Sequence, residues 1–211
     1  MRKIRLIQAV AMFAGAIVAF SVLPAAADTI TFSGPLMSDN DVPYTVFDAV
    51  IDYSYAGGVL TLDLENDTAS PYAYTLSVLA FNVSSDVTGM SILDDGGLSN
   101  TSLTANAHGD GFGVFSYVFD LGQGNNGITA GDSETVTFSV TGSNLGTSDF
   151  FDGLTSGNKP VLATIHFTRG PDDDSAWVSP DPPGAPEPAS VSLVGLGLLG
   201  LVVRRIRRRV A

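Results

Sequence analysis

Along the middle of the chain apolar residues return at every second position, the spacing of half-buried β-strands. Residues 29–34 read as a first strand and residues 44–55 as a second, broken one. Residues 56–58 supply a tight turn into residues 59–67, so the two segments read as a hairpin. In the second arm Leu60, Leu62 and Leu64 share one face, and Thr61, Asp63 and Glu65 share the other. Residues 72–83 form a strong strand pattern and residues 89–95 a weaker one. Phe115, Tyr117, Phe119 and Leu121 line one face of residues 111–122. Val136, Phe138 and Val140 do the same in residues 134–142, and Val161, Ala163, Ile165 and Phe167 in residues 159–169. Helical periodicity is scarce, with room for one turn in residues 148–157. The pattern predicts an all-β sandwich of about eight strands, jelly-roll-like or Ig-like, over residues 28–169.

Both ends of the chain break this pattern. Arg2, Lys3 and Arg5 precede a mostly apolar run, Pro24 stops it, and Ala25 and Ala27 offer small side chains to a signal peptidase. This is the layout of a secretory signal peptide, residues 1–27, with cleavage after Ala27. At the other end residues 189–203 carry no charge, and Arg204, Arg205, Arg207, Arg208 and Arg209 come next. A helix over that run spans about 22 Å, short of a ~30 Å bilayer core. Snorkelling arginines and Ile206 extend it to a marginal transmembrane helix. The arginines resist translocation and form a membrane stop. The signal helix and the transmembrane helix are thus separate from the sandwich, and the middle of the chain is exported.

Pro186, Glu187 and Pro188, followed by the apolar run and the arginine cluster, resemble the PEP-CTERM sorting signal of Gram-negative bacteria over residues 186–211. The resemblance implies recognition by a membrane-embedded exosortase that removes the helix and arginines. The protein is then held at the inner membrane first, and afterwards lies at the cell surface or outside it, often alongside exopolysaccharide. Two stretches of the body are also similar to exosortase-sorted proteins. "NGITAGDSETVTFSVTG" looks like their Gly-Asp-Ser turn leading into an alternating strand. "HFTRGPDDDSAWV" looks like the His…Asp-Ser-x-Trp strand end before such tails, and departs from it at Thr168 and Pro171. No catalytic role comes with these likenesses.

Charge sharpens the division. Between Asp28 and Pro188 only Lys159 and Arg169 are basic, against 22 acidic residues, a formal −20. Such a surface repels phosphate, which excludes nucleic acid as a partner. It suits solvation, calcium or cationic partners. The chain has no cysteine, so disulfides, thiol catalysis and zinc–thiolate sites are excluded. Residues 170–185 are rich in Pro and Asp and read as a stiff linker.

Candidate chemistry is sparse. His166 sits on a strand face with Leu162, Thr164 and Thr168, and His108 in a Gly-rich loop. Neither G-x-S-x-G nor H-E-x-x-H is present to make a nucleophile elbow or a zinc pair. Asp63 and Glu65 have the alternation of a carboxylate pair flanking a sugar, and equally that of a solvated strand face. Asp94 and Asp95, and Asp172, Asp173 and Asp174, cluster hard oxygen ligands in loops, which suits calcium; solvated acidic turns are the other reading. The combined expectation is a non-enzymatic surface or matrix protein, structural or adhesive in exopolysaccharide or biofilm, with no cofactor unless calcium. Two alternatives stay open. A calcium-dependent carbohydrate-binding module is marked by exposed aromatics on one sheet face. A hydrolase is marked by a deep pocket at His166 or His108.

Overall fold

Gly57 and Gly58 have φ of 60° and 86°, a left-handed pair that lets the chain reverse in two residues. The turn sets Ala56 opposite Val59 and fixes every later pair in the hairpin. Leu60, Leu62 and Leu64 then fall on one face, and all three are completely buried. The predicted hairpin is therefore present, in the predicted phase.

The computed structural model describes residues 27–33, 36–37, 46–109, 111–122, 126–155, 160–170 and 175–180. The strands are β1 (Asp28–Phe32), β2 (Leu36–Met37), β3 (Ala49–Ala56), β4 (Val59–Asn66), β5 (Thr75–Phe81) and β6 (Val87–Asp94). They continue as β7 (Ser102–Gly109), β8 (Gly113–Asp120), β9 (Ser133–Gly142), β10 (Ala163–Thr168) and β11 (Ala176–Val178). One sheet runs β1-β3-β4-β9-β6 and the other β2-β11-β10-β5-β8-β7. Every pairing is antiparallel. The chain body is an all-β sandwich.

The core lies between the sheets because each strand turns its apolar positions inward. Val136 and Phe138 of β9 meet Phe119 of β8, Leu79 of β5 and Ile165 of β10 in one buried cluster. Phe119 stands edge-on to Phe138 across the gap, with ring centroids 5.1 Å apart. Phe47 packs against Tyr74 and Phe167, and Phe151 against Tyr53 and Phe81, closing the sandwich ends. Each fully buried Leu or Phe contributes roughly 1.5–3 kcal/mol. In a chain without cysteine, that burial is what opposes the entropy of the unfolded state. A second, smaller cluster joins Ala80, Phe112 and Phe115 to Val118, Val161 and Trp177. Ala80 points away from Leu79 and Phe81, so this cluster covers part of the opposite face of the second sheet.

Three strands escape the sequence pattern. β7 is an edge strand, mostly exposed, whose Leu103–Ala105–Ala107 row has a single large side chain, so its apolar face is weak. His108, expected in a loop, lies on β7 opposite Val114. β2 has two residues, and β11 three. β11 also corrects the expected linker. Ala176 and Val178 are buried, so the sandwich continues past Arg169 to at least Ser179. Flanking Pro and Asp residues hide the inward Ala-x-Val alternation from a compositional reading. The expected single helical turn is present as a 3₁₀ turn, Thr147–Asp149.

Asn66 is the unexpected residue of β4. It comes after Leu60, Leu62 and Leu64 on the inward face and is itself wholly buried. Its amide is fully used. Nδ2 donates to Tyr74 O at 3.0 Å and to Ile128 O at 2.8 Å. Oδ1 accepts from Thr68 N at 3.2 Å and from Thr68 Oγ1 at 2.5 Å. The backbone adds Asn66 N to Asp132 O at 3.1 Å and Gly131 N to Asn66 O at 2.7 Å. The Gly-Asp-Ser turn is thereby fastened to the end of β4. Gly127 lets the same connection lie against β5, since a Cβ there would lie 2.2 Å from Leu76 O.

Asn66→Ala removes four hydrogen bonds from a buried site, with Ile128 O keeping Leu76 N as a donor, and is expected to cost about 2–3 kcal/mol in urea unfolding. The exposed neighbour change Asp67→Ala should stay within about 0.5 kcal/mol.

Candidate functional site

The outer face of the first sheet carries the most concentrated chemistry. The hairpin register places Asp52 directly opposite Asp63. The flanking pairings add Thr29 beside Asp52 and Thr135 beside Asp63. A row of four polar residues thus crosses four strands. Thr29 Oγ1 donates to Asp52 Oδ1, and Thr135 Oγ1 donates to Asp63 Oδ1 at 2.6 Å. Asp52, Asp63, Glu65 and Glu134 line a shallow groove of about 450 Å³ with Val50 and Thr135. Asp63 and Glu65 are brought together, as their alternation predicts. Asp52 and Glu134 join them without having been singled out. The two-residue turn already implied the place of Asp52, because it dictates the cross-strand partner of Asp63.

No aromatic side chain lines this groove. Among the described residues the exposed large apolar side chains are Leu93, Val114 and Leu154, none of them aromatic. Tyr55, Tyr72 and Trp177 are half-buried aromatics.

The histidines lie elsewhere. His166 on β10 stacks on Trp177 of β11, with centroids 4.5 Å apart and planes 16° from parallel. Ser77 Oγ donates to His166 O at 3.0 Å and lies 3.3 Å from His166 Nδ1. The direction of the second contact is set by the imidazole tautomer. His108 lies on β7 at the other edge of the sheet, and neither histidine lines the acidic groove.

The calcium candidates divide. Asp94 Oδ1 accepts Gly96 N at 3.1 Å, and Asp95 Oδ1 accepts Gly97 N at 3.3 Å. Asp95 Oδ2 accepts Thr101 Oγ1 at 3.0 Å. These carboxylates close the turn after β6. Among the described residues no group of three or more His, Asp or Glu is placed to hold a metal ion. Asp172, Asp173 and Asp174 lie outside the described residues.

Asp149 was not singled out in the sequence, yet its surroundings perturb it most among the carboxylates. Its carboxylate accepts Gly146 N at 2.7 Å and Ser84 Oγ at 2.7 Å. The backbone bond from Gly146 and then the Ser84 hydroxyl hold its pKa below the ordinary 3.8, against a small opposing effect of burial. Burial pushes the Tyr53 phenol up, with the Asp28 charge adding to it, and burial alone raises Tyr117. These shifts follow from packing and, at Tyr53, from the neighbouring Asp28.

Like charges directly opposite each other destabilise a sheet, and Asn keeps the acceptor that Thr135 uses. Asp63→Asn should therefore gain roughly 0.2–1 kcal/mol at low ionic strength. The gain should shrink in salt, where the Debye length falls to about 8 Å. For Asp149, a depressed folded pKa means stability that is present above the unfolded value and lost as pH falls through the folded one. The stability gap between the protein and Asp149→Asn should be constant above about pH 5 and close below about pH 4, measured by chemical denaturation across pH.

Of the residues expected to direct export, Ala27 is exposed and immediately precedes β1, so cleavage there leaves the first strand intact. Ala25, the Pro186–Glu187–Pro188 motif and Arg204, Arg205, Arg207, Arg208 and Arg209 lie outside the described residues. No helix among the described residues is long and apolar enough to cross a membrane. No curated protein and no solved structure matches the chain. The PEP-CTERM protein-sorting motif does match, over residues 185–209. The chain thus carries a PEP-CTERM protein-sorting motif, which implies export, C-terminal membrane anchorage before processing, and processing by an exosortase.

Proposed function

We propose that this is a non-enzymatic surface or extracellular-matrix protein of a Gram-negative bacterium. Its sandwich serves a structural or adhesive role in exopolysaccharide or biofilm once an exosortase has freed it from its anchor. The observation that carries this reading is the sorting motif at residues 185–209. The charge division supports it: eight of the ten basic residues lie in the two terminal segments, and 21 of the 22 acidic residues lie between them. The acidic groove, with hydroxyl and carboxylate partners, suits a hydrated cationic or polyhydroxylated neighbour better than a reacting substrate.

The test is the intact mass of the protein from cells with and without the exosortase. The expected product starts at Asp28 and ends near Pro186–Glu187–Pro188 only when the peptidase is present. A product that keeps the arginines in both strains overturns the sorting reading and leaves an ordinary membrane anchor.

A further inference from the structure

The last described strand lies close in sequence to the sorting motif. β11 is held on both sides, by β10 through Ile165–Val178, His166–Trp177 and Phe167–Ala176, and by β2 through Trp177–Met37 and Val178–Leu36. Ala176, Val178 and Ser179 are buried. Thr164 Oγ1 donates to Val178 O at 2.9 Å, and Trp177 is stacked on His166. The folded domain therefore grips the chain up to Ser179, ten residues beyond Arg169, where composition alone ended it.

Covalent geometry then limits the reach of the chain beyond β11. Pro180 and Pro186 are six residue steps apart. At no more than about 3.6 Å per step, Pro186 lies within about 22 Å of Pro180 however the chain between them runs. Ala189, the first residue of the uncharged run, lies within about 32 Å by the same limit. A peptidase groove that grips even four extended residues consumes about 13 Å of this. Little clearance remains between a processing enzyme at the membrane and the base of a rigid sandwich.

We propose that the folded sandwich acts as a steric stop for its own processing, and that the short tether over residues 181–184 sets whether the exosortase reaches its bond. This rests on the sorting reading above and adds what regulates it. Tether length, rather than tether sequence, is the determinant. The gauge exists only in the folded state, because an unfolded chain has no β11 to hold residues 176–179 back.

The experiment compares four full-length chains in the native host: unchanged, lacking residues 181–184, with those residues replaced by Gly-Ser-Gly-Ser, and with eight Gly/Ser residues inserted after Pro180. Processing is measured by pulse-chase and intact mass, and folding of each by its urea midpoint. The deletion leaves a reach of about 7 Å and should slow processing by on the order of tenfold or more with the sandwich still folded. The equal-length replacement and the insertion should be processed at least as fast as the unchanged chain. Unimpaired processing of the deletion overturns the steric stop. So does a replacement that fails as the deletion does, since that makes sequence the determinant. An unchanged chain that keeps its tail overturns the sorting reading itself, a result visible before any variant is compared.

Discussion

A primary amide buried at the end of β4 ties the β4–β5 and β8–β9 connections to the sandwich. Asn66 occupies the next inward position after three leucines, where an apolar side chain would satisfy the pattern and fasten nothing. Instead it binds two carbonyls, a backbone amide and a hydroxyl, all from segments that come after it in sequence. Asn82, just after β5, repeats the device. Its Nδ2 donates to Gly153 O, its Oδ1 accepts Ser116 N, and its backbone bonds Leu162 and Asp152. Irregular segments bring backbone polar groups into a core that strands alone would keep dry. These two amides, each with donors and acceptors, satisfy such groups where regular pairing ends.

The same division explains what was legible in the sequence. Period-two alternation located β4, β8, β9 and β10, because each presents an apolar face to one core; Phe115 and Val161, expected on those inward faces, belong instead to the smaller cluster. The alternation failed for β7 and β11, whose strand state is set by the neighbour they bond to. β7 has a single large apolar side chain, Leu103, and β11 is too short to show a period. The acidic groove was half visible. Asp63 and Glu65 alternate on one strand, whereas Asp52 reaches them only through pairing across the sheet and Glu134 only by lining the same groove from the start of β9. Asp149 carried no sequence signal, since its role depends on meeting Ser84 from a distant connection. The two amide anchors read as ordinary polar residues for the same reason.

The outer surfaces have a consistent character. Aromatic rings are concentrated inside, in edge-on and tilted contacts that lock the two sheets together. Outside, hydroxyls and carboxylates line up across strands and satisfy one another. A body with a formal −20, and with so few large apolar side chains exposed among its described residues, is kept in water by its surface and kept folded by its core. Neither task needs a disulfide.

The interior position of β11 also fixes an order of events during export. The second sheet joins β2, from the start of the body, to β11, from its end. That junction forms only after residues 176–178 have cleared the export channel, and the uncharged run beginning at Ala189 comes about ten residues behind. The second sheet therefore cannot be completed until nearly the whole body has emerged.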